Sequence, residues 1–161
     1  MPAKVQVAFC VSVVLAAAAS ANLFTDPELR RYRLTTETLA RVIDATKAMR
    51  AEAQRSAEFR KEAQTQHPVT ASLRAAIEGI AATRPLHVKI IQANGLSVED
   101  YFLTFFAVFQ VQQVEARGEN WMAIRKCTNP ANRAFVRQHA QQVQRLTEEI
   151  SALDAIKEHH S

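Results

Sequence analysis

Cysteine, glycine, proline and tryptophan are all scarce in this chain. Two cysteines in 161 residues cannot frame a disulfide scaffold or a multi-cysteine zinc site. Three glycines and five prolines are too few for the many tight turns of a β-sandwich or barrel. Neither sign of charge dominates, with 20 Lys and Arg against 16 Asp and Glu and a formal net charge of +4. The familiar catalytic signatures are missing too. There is no G-x-S-x-G, no glycine-rich phosphate loop, no C-x-x-C, no C-x-x-C-H and no H-E-x-x-H or E-x-x-H pair. What is present is a 48% hydrophobic content beside 22% charged residues. That balance excludes disorder and suits one folded domain.

The N-terminus reads as an address. Lys4 supplies an early charge, Val7–Ala19 is apolar but for Ser12, and Ala19-Ser20-Ala21 closes the run with small residues. This is the order of a secretory leader, and the run is shorter than the roughly 20 residues needed to span a bilayer. We expect residues 1–21 to be a cleaved signal peptide and 22–161 to be a single helical domain. Cys10 follows Phe9 inside the apolar run, where a lipid-modified cysteine does not belong. Its removal leaves Cys127 as the sole thiol. The expected destination is the periplasm or the external medium.

The remaining chain reads as helices. Leu39, Val42, Ile43, Thr46, Met49 and Ala53 recur at helical spacing and predict a helix over 36–55, capped by Thr35 or Thr36. Asp26-Pro27-Glu28 is a separate helix start. Residues 56–69 are polar and read as a fraying end or a connection. Leu73, Ala76, Ile77 and Ile80 predict a helix over 70–82, in which Gly79 is explained by a close helix crossing. Pro85 opens a further short helix over 86–94. Asn94-Gly95-Leu96-Ser97 is a helix–turn–helix corner: Gly95 closes one helix, and Ser97 with Asp100 starts the next. That next helix spans 98–117 and is apolar nearly all round, so it must be enclosed by neighbours. Residues 119–128 read as a connection, and Asn129-Pro130 as the start of a last helix running to about Lys157. The predicted fold class is all-α, a compact bundle of four to five helices around a buried, aromatic-rich central helix.

Few residues offer chemistry. Phe102, Phe105, Phe106 and Phe109 share an arc of about 100° on the central helix, and read as core or as the lining of a site for a small apolar ligand or lipid. His139 lies in the apolar stripe Phe135, His139, Val143, Leu146, Ile150 and Leu153, and is either a core-edge histidine or a ligand-site residue. Cys127, beside Arg125 and Lys126, is a possible reactive thiol. The other histidines, His67, His87, His159 and His160, are scattered. No catalytic residue, metal site or cofactor is expected. Basic residues cluster at Arg30-Arg31-Arg33 and at Arg125-Lys126, but along the sequence the charges are interspersed, so nucleic acid is not an expected partner.

Three stretches occur in a recognisable order: Leu34-Thr35-Thr36-Glu37 leading into Leu39-Ala40-Arg41-Val42-Ile43; Ala93-Asn94-Gly95-Leu96-Ser97 with Asp100-Tyr101; and Asn129-Pro130-Ala131-Asn132 with Phe135-Val136-Arg137. The order resembles a group of small exported bacterial all-helical proteins. The resemblance spans most of residues 34–150 and consists chiefly of caps and core positions. It implies export and a helical fold, and it carries over no catalytic residue. Leu34-Thr35 is also similar to the start of the repeat in periplasmic LTxxQ-type chaperone-like proteins. Here Thr38 stands where that repeat has Gln, and no second copy follows. The functional expectation is a non-catalytic, exported bundle that binds an envelope protein or self-associates, with no membrane span once the leader is removed. Binding of a small apolar ligand through the Phe102–Phe109 region is the alternative, and an enzyme of unrecognised type the third reading.

Overall fold

A computed structural model describes residues 23–65, 72–117 and 122–158. The leader and its cleavage site, together with His67, Trp121, His159 and His160, lie outside the described residues. Asp26 caps α1 (Pro27–Arg31) by accepting from the Glu28 amide at 2.9 Å, with Pro27 in the first turn. Extended backbone at Tyr32 separates α1 from α2 (Thr36–Arg55), so the two do not merge. Thr35 caps α2, accepting from the Thr38 amide. All six stripe residues of α2, from Leu39 to Ala53, are buried.

Ser56 ends α2 and at once caps α3 (Ala57–Ala63), accepting from the Phe59 amide at 3.1 Å. The polar stretch is therefore helical at its start, and it buries Phe59 and Ala63. α4 (Leu73–Thr83) follows with Ser72 as its cap. Among the described residues, no neighbouring element comes within 4 Å of the position a Cβ would take at Gly79, so the expected close crossing is not found among them. α5 (Pro85–Ala93) ends at Gly95, whose φ of 72° is the left-handed turn expected of it. Ser97 accepts from the Asp100 amide at 2.9 Å and donates its hydroxyl to the Asp100 carboxylate at 2.8 Å, opening α6 (Val98–Arg117).

Two expectations of unbroken segments give way downstream. The 119–128 connection holds a short helix, α7 (Met122–Cys127). The last helix breaks at His139 into α8 (Pro130–Gln138) and α9 (Ala140–Glu158). His139 takes φ −108° and ψ 31°. Its amide still reaches the Phe135 carbonyl at 2.9 Å and its carbonyl still receives the Val143 amide at 3.0 Å, so the break is one residue wide. Nine helices stand among the described residues, more than the four to five expected, because short helices replace stretches read as connections and one long helix is split.

The all-α bundle has α6 at its centre. α1, α2, α4, α5, α7 and α8 all pack on it, and α2 lies most extensively against α9. Phe106, Val108, Phe109, Val111 and Val114 of α6 are buried; each buried Phe is worth about 1.5–3 kcal/mol before entropy is subtracted. Phe24, itself buried, meets Phe106 edge-on at 6.4 Å and Phe109 at 5.5 Å. Gln110 donates to the Phe24 carbonyl at 2.6 Å, and the Tyr32 and Thr104 hydroxyls lie 2.7 Å apart. The segment from Leu23 to Leu34 is thus sewn to the central helix by side chains rather than by helix packing alone.

Candidate functional site

The aromatic row divides by depth. Phe106 and Phe109 are buried, whereas Phe102 and Phe105 are half-buried. Their rings contact one another: Phe105 meets Phe106 edge-on at 5.7 Å and stacks on Phe109 at 6.4 Å. Beside them, Phe105, Phe109 and Gln112 of α6 face Leu146, Thr147 and Ile150 of α9 across a shallow groove whose cavity is about 10 Å³. That is room for one water. A larger ligand would have to displace Phe105 or Ile150. His139 is half-buried at the α8–α9 break and lies against Phe135, ring centres 4.2 Å apart. Cys127 is a half-buried free thiol at the end of α7. Among the described residues, no group of three or more His, Cys, Asp or Glu is placed to hold a metal ion.

A second constellation lies between α3 and α5. Arg84, at the cap position of α5, makes no side-chain capping bond. Glu62 of α3 takes that role from outside. Its carboxylate accepts from the Leu86 amide at 2.9 and 3.0 Å, from the His87 amide at 3.3 Å, and faces His87 Nδ1 at 3.3 Å. Phe59 stacks on the His87 ring at 4.0 Å. Arg84 is buried and donates to the Thr65 carbonyl at 3.0 Å. Burial pulls its guanidinium down to about 10, against the attraction of Glu62. A carboxylate so engaged by backbone N–H groups, its side chain 9% exposed, is a fastening of α3 to α5. The absence of Ser, Thr, Asp or Asn before Pro85 is the signal that an outside acceptor was needed.

A third arrangement joins features far apart in sequence. Asn129 and Asn132 open α8. Asn129 accepts from the Ala131 amide, its capping bond, and donates to the Arg30 carbonyl at 3.0 Å and the Tyr32 carbonyl at 3.2 Å. Asn132, 1% exposed, donates to the Tyr32 carbonyl and accepts from the Leu34 amide, both at 2.9 Å. The two amides satisfy backbone groups that the end of α1 leaves open. They also tie the Arg30–Leu34 backbone to the corner that follows α7, the helix carrying Arg125 and Lys126.

The two small basic clusters of the sequence are therefore linked through the backbone around Asn129. Arg30, Arg31, Arg33, Arg125 and Lys126 are all exposed, and none of the five pairs with a carboxylate among the described residues. Neighbouring acids are engaged elsewhere. Asp26 holds the amides of Glu28 and Leu73, and Glu28 pairs with Arg74 at 2.8 Å. Glu115 takes Arg133 at 2.7 Å and Arg137 at 3.1 Å. The Arg133 hydrogen bond, opposed by burial and helped by the Arg137 hydrogen bond and both positive charges, holds the Glu115 carboxyl below the usual carboxylate range. Along α7, Met122, Arg125 and Lys126 fall on one face at i, i+3 and i+4, while Ile124 is buried. Met122 is 50% exposed, the one large hydrophobic residue so placed among those described.

Among the described residues, no helix is long and apolar enough to cross a membrane. Compared with protein-family models, curated proteins and solved structures, the chain matches none.

Proposed function

We propose that this protein is an exported, non-catalytic helical bundle that works by association, holding an anionic component of the cell envelope against the face formed by Arg30, Arg31, Arg33, Arg125 and Lys126. The observation that carries this reading is the pinning of that face. Two asparagine side chains, Asn132 buried, tie the segment that carries Arg30, Arg31 and Arg33 to the corner after the helix that carries Arg125 and Lys126, and these five exposed cations have no carboxylate partner among the described residues. Like charges gathered on one face repel, and an anionic partner relieves that repulsion. Export is supported by the leader-like order of residues 4–21.

Site-specific photo-cross-linking in intact cells tests the reading. Probes at Arg31 and Lys126 should capture the same envelope component, and probes at Lys47 and Lys89, exposed elsewhere, should not. Equal capture from all four positions would refute it.

A further inference from the structure

The geometry points to a particular partner: we infer that the basic face docks on the headgroups of an anionic phospholipid membrane, with Met122 entering the interface. This inference rests on the association reading above and names its partner. Charge alone does not separate a lipid surface from an acidic protein or a nucleic acid, since all three attract a cluster of arginines. Met122 does. It is half exposed on the outward face of α7, one turn from Arg125 and Lys126, whereas Ile124 of the same helix is buried. An apolar side chain flanked by cations is the pattern of a surface that lies on a bilayer. The cations meet phosphates while the apolar group reaches the acyl boundary.

The two halves of the face are complementary. The Arg30–Arg33 segment is held by Asn129 and Asn132 through backbone atoms only. Its arginine side chains therefore remain available for headgroups. α7 contributes Arg125 and Lys126 with the apolar foot. Basic residues at an anionic leaflet contribute about 1 kcal/mol each, roughly fivefold in affinity, and the attraction fades over a Debye length as salt rises. One methionine cannot anchor a protein, so the docking is reversible and salt-sensitive.

The test is co-sedimentation of the full chain, as isolated from cells that produce it, with phosphatidylglycerol-containing vesicles and with phosphatidylcholine vesicles. Processing at the N-terminus is the same for every variant, so differences between variants read the face. Binding should favour phosphatidylglycerol and fall as salt rises. Arg30→Gln, Arg31→Gln and Arg33→Gln together should weaken it about 100-fold, and Arg125→Gln with Lys126→Gln about 25-fold. Lys47→Gln should leave it unchanged. Met122→Ser should weaken binding while keeping its salt dependence. Circular dichroism of each variant checks that the exposed substitutions leave the helices intact. Equal binding to both vesicle types, or wild-type binding by the arginine variants, would overturn the inference. So would tighter binding to soluble polyphosphate or duplex DNA that ignores Met122→Ser. If the vesicles fail while face-specific cross-links to an acidic envelope protein persist, the lipid partner is wrong and the association reading stands.

Discussion

Replacing Asn132 by alanine removes two hydrogen bonds that cross about a hundred residues of sequence. Their loss is unequal. The Leu34 amide is buried and has Asn132 Oδ1 as its acceptor, so Asn132→Ala strands a buried N–H, at about 1–3 kcal/mol. The Tyr32 carbonyl keeps a donor in Asn129 at 3.2 Å, so its share is about 0.5–1.5 kcal/mol. Together the variant should lose about 2–4 kcal/mol of the 5–15 kcal/mol typical of a folded domain. Asn132→Asp does not rescue it. That change keeps an acceptor for Leu34 but turns a carboxylate oxygen toward the Tyr32 carbonyl in a buried site. Urea unfolding followed by circular dichroism reads the loss as a shifted midpoint with an unchanged slope. Because Asn129 and Asn132 share the Tyr32 carbonyl, Asn129→Ala combined with Asn132→Ala should cost more than the two singles added. A loss below about 0.5 kcal/mol for Asn132→Ala, or strict additivity, would refute the pinning argument.

Other consequences are as specific. Gly79→Ala should stabilise the protein by about 0.5–1 kcal/mol, because its Cβ enters open space; a lower melting temperature would contradict this. Gly95→Ala should cost about 1–2 kcal/mol, since φ is 72° and the new Cβ would lie 2.6 Å from Arg41 Nη1, which must leave the Gly95 carbonyl. Both tyrosines titrate late: burial pushes the Tyr101 phenol up to about 12 and raises Tyr32 as well. For Tyr101 the unfolded chain releases its proton first, near 10. Its contribution to stability is therefore complete below that value and is lost as pH climbs toward 12. An ultraviolet phenolate titration should show no ordinary tyrosine step in the native protein and a normal one in denaturant. Glu115 has the opposite sign. Its lowered carboxyl value gives stability that is present above the unfolded-state value and fades as pH falls through the folded one. Glu115→Gln should remove that part of the acid dependence in unfolding midpoints measured across acidic pH.

What could be read in advance was local. The cap at Asp26 with Pro27, the stripe from Leu39 to Ala53, the Gly95 turn and the Asn129-Pro130 start are each decided within a few residues, and each stands where the spacing placed it. The helix over 98–117 was legible as the centre because an element apolar on all sides has to be surrounded. α3 and α7 were not legible, being too short to show a period. α3 buries only Phe59 and Ala63, and α7 only Ile124. The break at His139 leaves the apolar stripe in register, so periodicity passes through it unseen. The Glu62–His87 fastening and the basic face depend on pairings between distant segments. Along the sequence the arginines of 30–33 and the cations of 125–126 look like separate solvated patches. The hydrogen-bonding reach of Asn129 and Asn132, read at first as cap and core positions, is what joins them.

Amide hydrogen exchange on the full chain, with and without phosphatidylglycerol vesicles, tests the central claim most directly. The account predicts added protection at Arg30–Leu34 and Met122–Asn129 together, lost in the Arg30, Arg31 and Arg33 glutamine variant. Protection confined to the groove between Phe105 and Ile150, or spread evenly over α2 and α9, would contradict it.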